Sequence, residues 1–463
     1  MISSVAWTSC RARQAGATLM ILLCVLAAAL SGWLVATIHD NQSGERAALS
    51  AVSLARAHEA LVAYASSVSP DTAAKRPGDL PCPDLNNDGS AELTCVTADK
   101  RIGRLPWKTL DLPDLRDGSN ERLWYALSGN FDRTTSNQCP IAGTATCLNS
   151  DTPGTLTVRD TSGATIHDGS DASSGAVAVI IAPGDPLQRV GESSMQVRDC
   201  SGDLDPPTCE STGRCSGNAT ALCDPRNYLD RMAPPTLSIP AAAGGEEDNA
   251  TFTDADSGNG FVQGPIRDLG GAIRLNDRLR TVRRQDLTVA LEKRVARHAL
   301  RCLRDYAEAS SDRMPWAAPA AASYAATLVD EDGIRFGRLP QALDATAGYP
   351  AMQSAWEPGC PVAMSAAEHL WWANWKDQVF YAVATGFAPD SGAACGACLA
   401  LDPPSPFLDK RAVVLVAGKA LSGQVRGVDA DISAYLESGN ADGDDAFTHA
   451  SPDPTFNDLA AIP

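Results

Sequence analysis

The chain has 463 residues and is acidic: 56 Asp and Glu stand against 38 Lys and Arg, for a formal net charge of −18. That charge disfavours a nucleic-acid backbone as partner, and the length exceeds one ordinary domain. The sequence holds no Gly-x-Ser-x-Gly, His-Glu-x-x-His, phosphate loop or dinucleotide fingerprint, so the expectation is a protein that is not an enzyme.

The chain begins with a short leader, residues 1–16, carrying Arg11 and Arg13, and passes at Ala17 into an uncharged, mostly apolar run ending at Ile38. As a helix this run would measure roughly 33 Å, the thickness of a bilayer's hydrocarbon core, which predicts a transmembrane helix over 17–38. The arginines put the leader in the cytoplasm and the rest of the chain outside it. The expected location is therefore the inner membrane, crossed once, with the C-terminal part periplasmic or displayed on a surface filament. Beyond the run, Ala47, Ala51, Leu54, Ala57, Leu61 and Tyr64 recur at gaps of three or four, so the helix continues to about Ala65. Ser66 to Ser69 and Pro70 then end it.

Gln14-Ala15-Gly16 followed by Ala17-Thr18-Leu19 and an apolar helix resembles the prepilin N-terminus of type IV pilins and type II secretion pseudopilins. The resemblance implies cleavage after Gly16 by a prepilin peptidase and methylation of Ala17 as the first mature residue. It also implies a long N-terminal helix that docks among other pilins or pseudopilins. Ile21 stands where most of that family carries glutamate, which points to a minor or tip subunit acting in assembly, adhesion or secretion. The alternative is an uncleaved, signal-anchored periplasmic binding module, and a third reading is an anchored hydrolase. The segment GRLPWKTLDLPDL with ERLWYALS after it also resembles a proteobacterial prepilin-like family.

An internal repeat follows. ARAHEALVAYA at 55, RPGDLPCP at 76, GRLPW at 103, LWYALSGNF at 123, GAVAVIIAPG at 175, NYLD at 227 and NDRL at 276 recur in the same order. The counterparts are VARHALRCLRDYA at 295, RMPWAAP at 313, GRLPQ at 337, VFYAVATGF at 379, RAVVLVAGKA at 411, AYLE at 434 and NDLA at 457. A tandem duplication is expected, with a first head over 39–280 and a second over 281–463. Leu291, Val295, Ala299, Cys302 and Tyr306 form the second helix's stripe. WYALSG, FYAVATG, AVAVIIA and AVVLVA read as strands, and Leu156 to Ile166 as a hairpin about Thr161-Ser162-Gly163. The predicted fold is thus α+β: a pilin-like long N-terminal helix followed by two helix-plus-antiparallel-sheet heads.

Twelve cysteines lie beyond the apolar run: Cys82, Cys95, Cys139, Cys147, Cys200, Cys209, Cys215, Cys223, Cys302, Cys360, Cys395 and Cys398. In an oxidising compartment these predict disulfides, with Cys82–Cys95 and Cys139–Cys147 as local pairs. No organic cofactor is expected. Asp84, Asn86 and Asp88, with Gly89 at the sixth position, place oxygens as a calcium loop does, and Glu92 is a further candidate ligand, although Cys95 occupies the twelfth position. Leu105-Pro106-Trp107 predicts a rigid turn with a buried tryptophan, and Trp371, Trp372 and Trp375 read as packing rather than a sugar or peptide site. His58 and His298 read as ordinary helix-face residues.

Overall fold

The computed structural model describes residues 12–67, 76–132, 147–190, 195–196, 198, 224–232, 247–251, 260–268, 270–321, 328–344, 372–392, 394–395, 398–403, 405–427, 431–453 and 455–463. The leader residues 1–11, Cys139, Cys200, Cys209, Cys215, Cys223, Cys360 and Trp371 lie outside the described residues. Two helices organise the rest, α1 (Ala12–Ser67) and α2 (Arg284–Ala309). The first half contributes β1 (Ile102–Arg104), β2 (Trp124–Leu127), β3 (Val158–Arg159), β4 (Thr165–His167), β5 (Ala178–Ala182), β6 (Arg231–Met232), β7 (Glu247–Asp248), β8 (Phe261–Val262), β9 (Ile266–Arg267), β10 (Ile273–Leu275) and β11 (Arg278–Val282). The second half contributes β12 (Phe336–Arg338), β13 (Val379–Val383), β14 (Leu399–Asp402), β15 (Ser405–Lys410), β16 (Ala412–Val416), β17 (Ala446–Thr448) and β18 (Leu459–Ala461).

Two four-stranded antiparallel sheets carry the fold, ordered β1-β2-β5-β11 and β12-β13-β16-β18. GRLP supplies the edge strand in each, at β1 and β12, and NDRL and NDLA enter β11 and β18 at the other edge. Beside each sheet lies a three-stranded one with a hairpin and a parallel pair: β4-β3-β8 and β15-β14-β17. The hairpin turn of β3–β4 is held by Asp160, whose Oδ1 accepts from the backbone N–H of Ser162 and Ala164 at 2.8 and 3.0 Å.

The apolar runs of β2, β5, β13 and β16 are continuous because both faces of their sheets are covered. Tyr125, Leu127, Ile180, Tyr381, Val414 and Val416 point to one large core shared with the helices. Trp124, Ala126, Val179 and Ile181 fill a second cluster, and Phe380, Ala382, Val413 and Leu415 a third. Leu54, Ala57, Leu61 and Ala65 of α1 join the large core, as do Leu291, Val295, Ala299, Cys302 and Tyr306 of α2. Ala51 is exposed and Tyr64 half-buried, so the buried stripe of α1 starts later than its periodicity implies.

These observations correct the expected fold. The protein is a mixed α/β structure with several small sheets, some of them containing parallel pairs, rather than a pilin-like long apolar helix followed by purely antiparallel sheets. The large core runs through both halves. The segment 148–152 also ties them: Leu148 N–H donates to Asn374 Oδ1 at 2.8 Å, and Ser150 Oγ donates to Glu292 Oε1 at 2.6 Å. Asp151 accepts from Arg426 Nη1 at 2.7 Å and from Gln378 Nε2 at 2.8 Å.

The expected single-pass placement in the inner membrane is corrected as well, because no helix among the described residues is long and apolar enough to cross a membrane. In its later turns α1 carries Glu45, Arg46, Arg56 and Glu59.

Candidate functional site

The first candidate surface is the start of α1. Met20, Ile21, Leu22, Leu23, Val25, Leu26, Leu30 and Trp33 are between 50% and 72% exposed. Farther along the same helix Leu54, Ala57 and Leu61 are buried against the sheets. Gly16 and Ala17, the expected processing residues, lie on the helical backbone just before this apolar stretch, and their side chains are outside the described ones. Cys24 is exposed within it. One helix therefore presents two environments: a base packed into the core and a projecting apolar end.

The second candidate is the loop from Asp84 to Glu92. Asp84 Oδ2 accepts from Gly89 N–H at 2.7 Å, Asn86 Oδ1 from Asp88 N–H at 3.0 Å, and Asp88 Oδ1 from Ser90 N–H at 2.6 Å. Glu92 Oε1 accepts from Leu85 N–H at 3.4 Å. The four side chains brace their own turns, and no group of three or more His, Cys, Asp or Glu arranged to hold a metal occurs among the described residues. Burial pushes the Asp84 carboxyl up to about 7, which reflects the cost of charging an enclosed carboxylate. Trp107 is only half-buried and lies against this loop; a Cβ at Gly89 would sit 2.6 Å from its indole. The turn expected at Leu105-Pro106-Trp107 is present, with Trp107 N–H donating to Leu105 O at 2.8 Å, but its tryptophan covers a loop instead of filling the core. Trp372 and Trp375 are buried in the large core.

Cys82–Cys95 closes the loop as a disulfide, and Cys395–Cys398 forms a second. Cys147 is disulfide-bonded, and its expected partner Cys139 lies outside the described residues. Cys302 is instead a buried thiol on α2, its Sγ 3.9 Å from His298 Nε2. His58 is more than a helix-face residue: its Nε2 lies 3.3 Å from Asp286 Oδ2 and links α1 to α2. Burial opposes charge on Asp286, but hydrogen bonds from His58 and Arg283 outweigh it and hold the carboxyl below its ordinary range.

Two polar centres escaped sequence reasoning, and both occur twice. In the first half Arg104 stacks over Trp124 and Tyr228, its guanidinium 4.5 and 4.1 Å from the ring centres. In the second half Arg338 stacks over Phe380 and Tyr435 at 4.9 and 4.7 Å. A second arginine approaches each of these tyrosines, Arg198 at 5.8 Å from the Tyr228 ring centre and Arg426 at 5.0 Å from that of Tyr435. Such cation–π stacks let a buried guanidinium keep its charge at lower cost.

Next to each stack is a pair of buried acids. Asp277 Oδ2 accepts from Asp230 N–H and from Asn249 Nδ2, both at 2.8 Å. Asp458 Oδ2 accepts from Glu437 N–H at 2.8 Å and from Asn440 Nδ2 at 3.2 Å. Burial raises the carboxyls of Asp230, Asp277 and Asp458, and Asp230 adds to the rise at Asp277 while Glu437 adds to that at Asp458. The signal was in NYLD and AYLE and in NDRL and NDLA, whose acids are these pairs. No family model, curated protein or solved structure matches the chain. Its function must therefore be argued from the surfaces themselves.

Proposed function

We propose that the chain is a minor or tip subunit of a pilin-like filament of the type IV pilus or type II secretion class, acting in assembly, adhesion or secretion rather than by chemistry. The exposed apolar end of α1 carries this reading. Leaving Ile21, Leu22, Leu26 and Trp33 in water forgoes about 1.5–3 kcal/mol for each large apolar side chain that could be buried. Equivalent helices of neighbouring subunits would recover it by packing along the filament axis, while the sheet-bearing part faces outward. Gly16 and Ala17 stand directly before that end, where a prepilin peptidase would cut and the new N-terminus be methylated.

The test is the mature N-terminus, determined by intact mass and terminal sequencing with and without the peptidase. A peptidase-dependent start at methylated Ala17 is expected, and Gly16→Ala should leave the leader attached. A chain still beginning at Met1 in cells with active peptidase would rule the reading out. Cys24 serves as a native reporter, since helix-to-helix packing should give Cys24 cross-links between pilin-like subunits on mild oxidation and Cys24→Ser should remove them.

A further inference from the structure

An open cavity of about 610 Å³ lies where the two halves meet, bordered by the first turns of α2, the 173–175 loop and the turn after β16. Arg284 and Lys419 both line it, and neither forms an ion pair among the described residues. Arg284 Nη1 reaches only the carbonyl oxygens of Ala172 and Asp151, at 3.3 and 3.5 Å. Lys419 Nζ reaches only that of Ser173, at 3.4 Å.

The acids that attract the two cations, Asp151 and Asp171, take their hydrogen bonds from other groups. Asp151 gives its oxygens to Ala420 N–H, Arg426 and Gln378. Asp171 gives its own to the backbone and hydroxyl of Ser173, at 2.8 and 2.6 Å. On the cavity wall Asp453 accepts from Thr455, and Glu292 accepts from Ser150. The third cation of the lining, Arg283, is paired with Asp286 at 2.8 Å. Two like charges are thus gathered from distant parts of the chain, attracted by Asp151 and Asp171 but without an ion pair to either among the described residues. Burial and the repulsion of Arg284 lower the Lys419 ammonium, against the pull of Asp171 and Asp151. Two cations that converge on a concave site with hydrogen-bond donors to spare suit an oxyanion, because charge-assisted hydrogen bonds to it are about twice as strong as neutral ones.

We propose that this cavity binds a small solute through a phosphate or carboxylate group held between Arg284 and Lys419, with the hydroxyl of Thr288 contacting the remainder. The site stands independently of the filament reading. Free inorganic anion and an anionic sugar share this chemistry, and the cavity is large enough for either.

Calorimetry on the full chain would compare inorganic phosphate, a hexose phosphate, a uronic acid and a neutral hexose at equal ionic strength. Binding of at least one anion and none of the neutral hexose is expected. Tighter binding of the sugar anions identifies a sugar ligand, and equal binding of phosphate identifies the oxyanion alone. Lys419→Gln and Arg284→Gln should each weaken binding about tenfold or more, as loss of a hydrogen bond to a charged group implies. Arg297→Gln, on the exposed side of α2, should leave it unchanged. Lys419 is only half-buried, so its variant tests the site even where the Arg284 variant fails to fold. Absence of binding by all three anions, or full affinity in Lys419→Gln, would overturn the proposal.

Discussion

Gly337 and Gly103 explain why GRLP recurs in the chain. A Cβ at Gly337 would lie 2.1 Å from Ala318 O, and one at Gly103 would lie 2.8 Å from Asp84 O. In both halves the incoming chain presses against the first sheet strand: Asp84 exchanges backbone hydrogen bonds with Arg104, and Ala318 does so with Arg338. Gly337→Ala should therefore destabilise the protein by about 1–3 kcal/mol in urea unfolding, the range for overpacking a tight site. The following arginine and leucine are fixed too, the arginine by its aromatic stack and the leucine by burial. The motif was visible in the sequence; the role of each letter was not, because the stacking tyrosines stand about a hundred residues downstream. At the same scale, the acid pairs set a pH dependence. Burial raises Asp458 to about 8, so the folded chain retains a proton that an unfolded carboxyl, with its pKa of about 4, has released. Stability is then full below about pH 4, falls as pH rises, and levels off above about 8, with a slope of at most about 1.4 kcal/mol per pH unit for each such proton. Asp458→Asn keeps a neutral group there and should flatten the decline between pH 5 and 8. A slope identical to that of the parent chain would refute the assignment.

At the level of elements, α1 is the piece on which both the core and the proposed assembly depend. Its residues Leu54, Ala57 and Leu61 meet β5 and β11, and its His58 meets Asp286 at the start of α2. Leu61→Ala removes a fully buried side chain and should cost about 2–5 kcal/mol in thermal or urea unfolding. Periodicity located this helix and α2, since spacings of three and four report burial on one side. It overran at Ala51, which is exposed, because periodicity shows which side of a helix is apolar but not where another element ceases to cover it. The disulfide of Cys82 and Cys95 was legible from spacing, and it spans 13 residues. Reducing it selectively should lower stability by about 3 kcal/mol, the order expected for a loop of that size.

Across the whole molecule, the deciding feature is that the inner faces of the two large sheets and the buried faces of α1 and α2 share one core. Unfolding followed by circular dichroism and by tryptophan fluorescence should accordingly give one coincident transition, whereas two separated transitions would indicate halves that fold alone. The short-range order of the chain determined much of this by itself: the helices and main strands follow from apolar spacing, the hairpin at Ser162 from its turn residues, and the repeated motifs from direct comparison of the two halves. Tertiary structure decided the rest. Whether two similar halves close two cores or one depends on contacts such as Ser150 with Glu292 and Asp151 with Arg426, which join residues far apart in the chain and leave no periodic trace. The convergence of Arg284 and Lys419 on one cavity has the same origin, because a cation's partners are set by what the fold brings near it rather than by its neighbours in sequence.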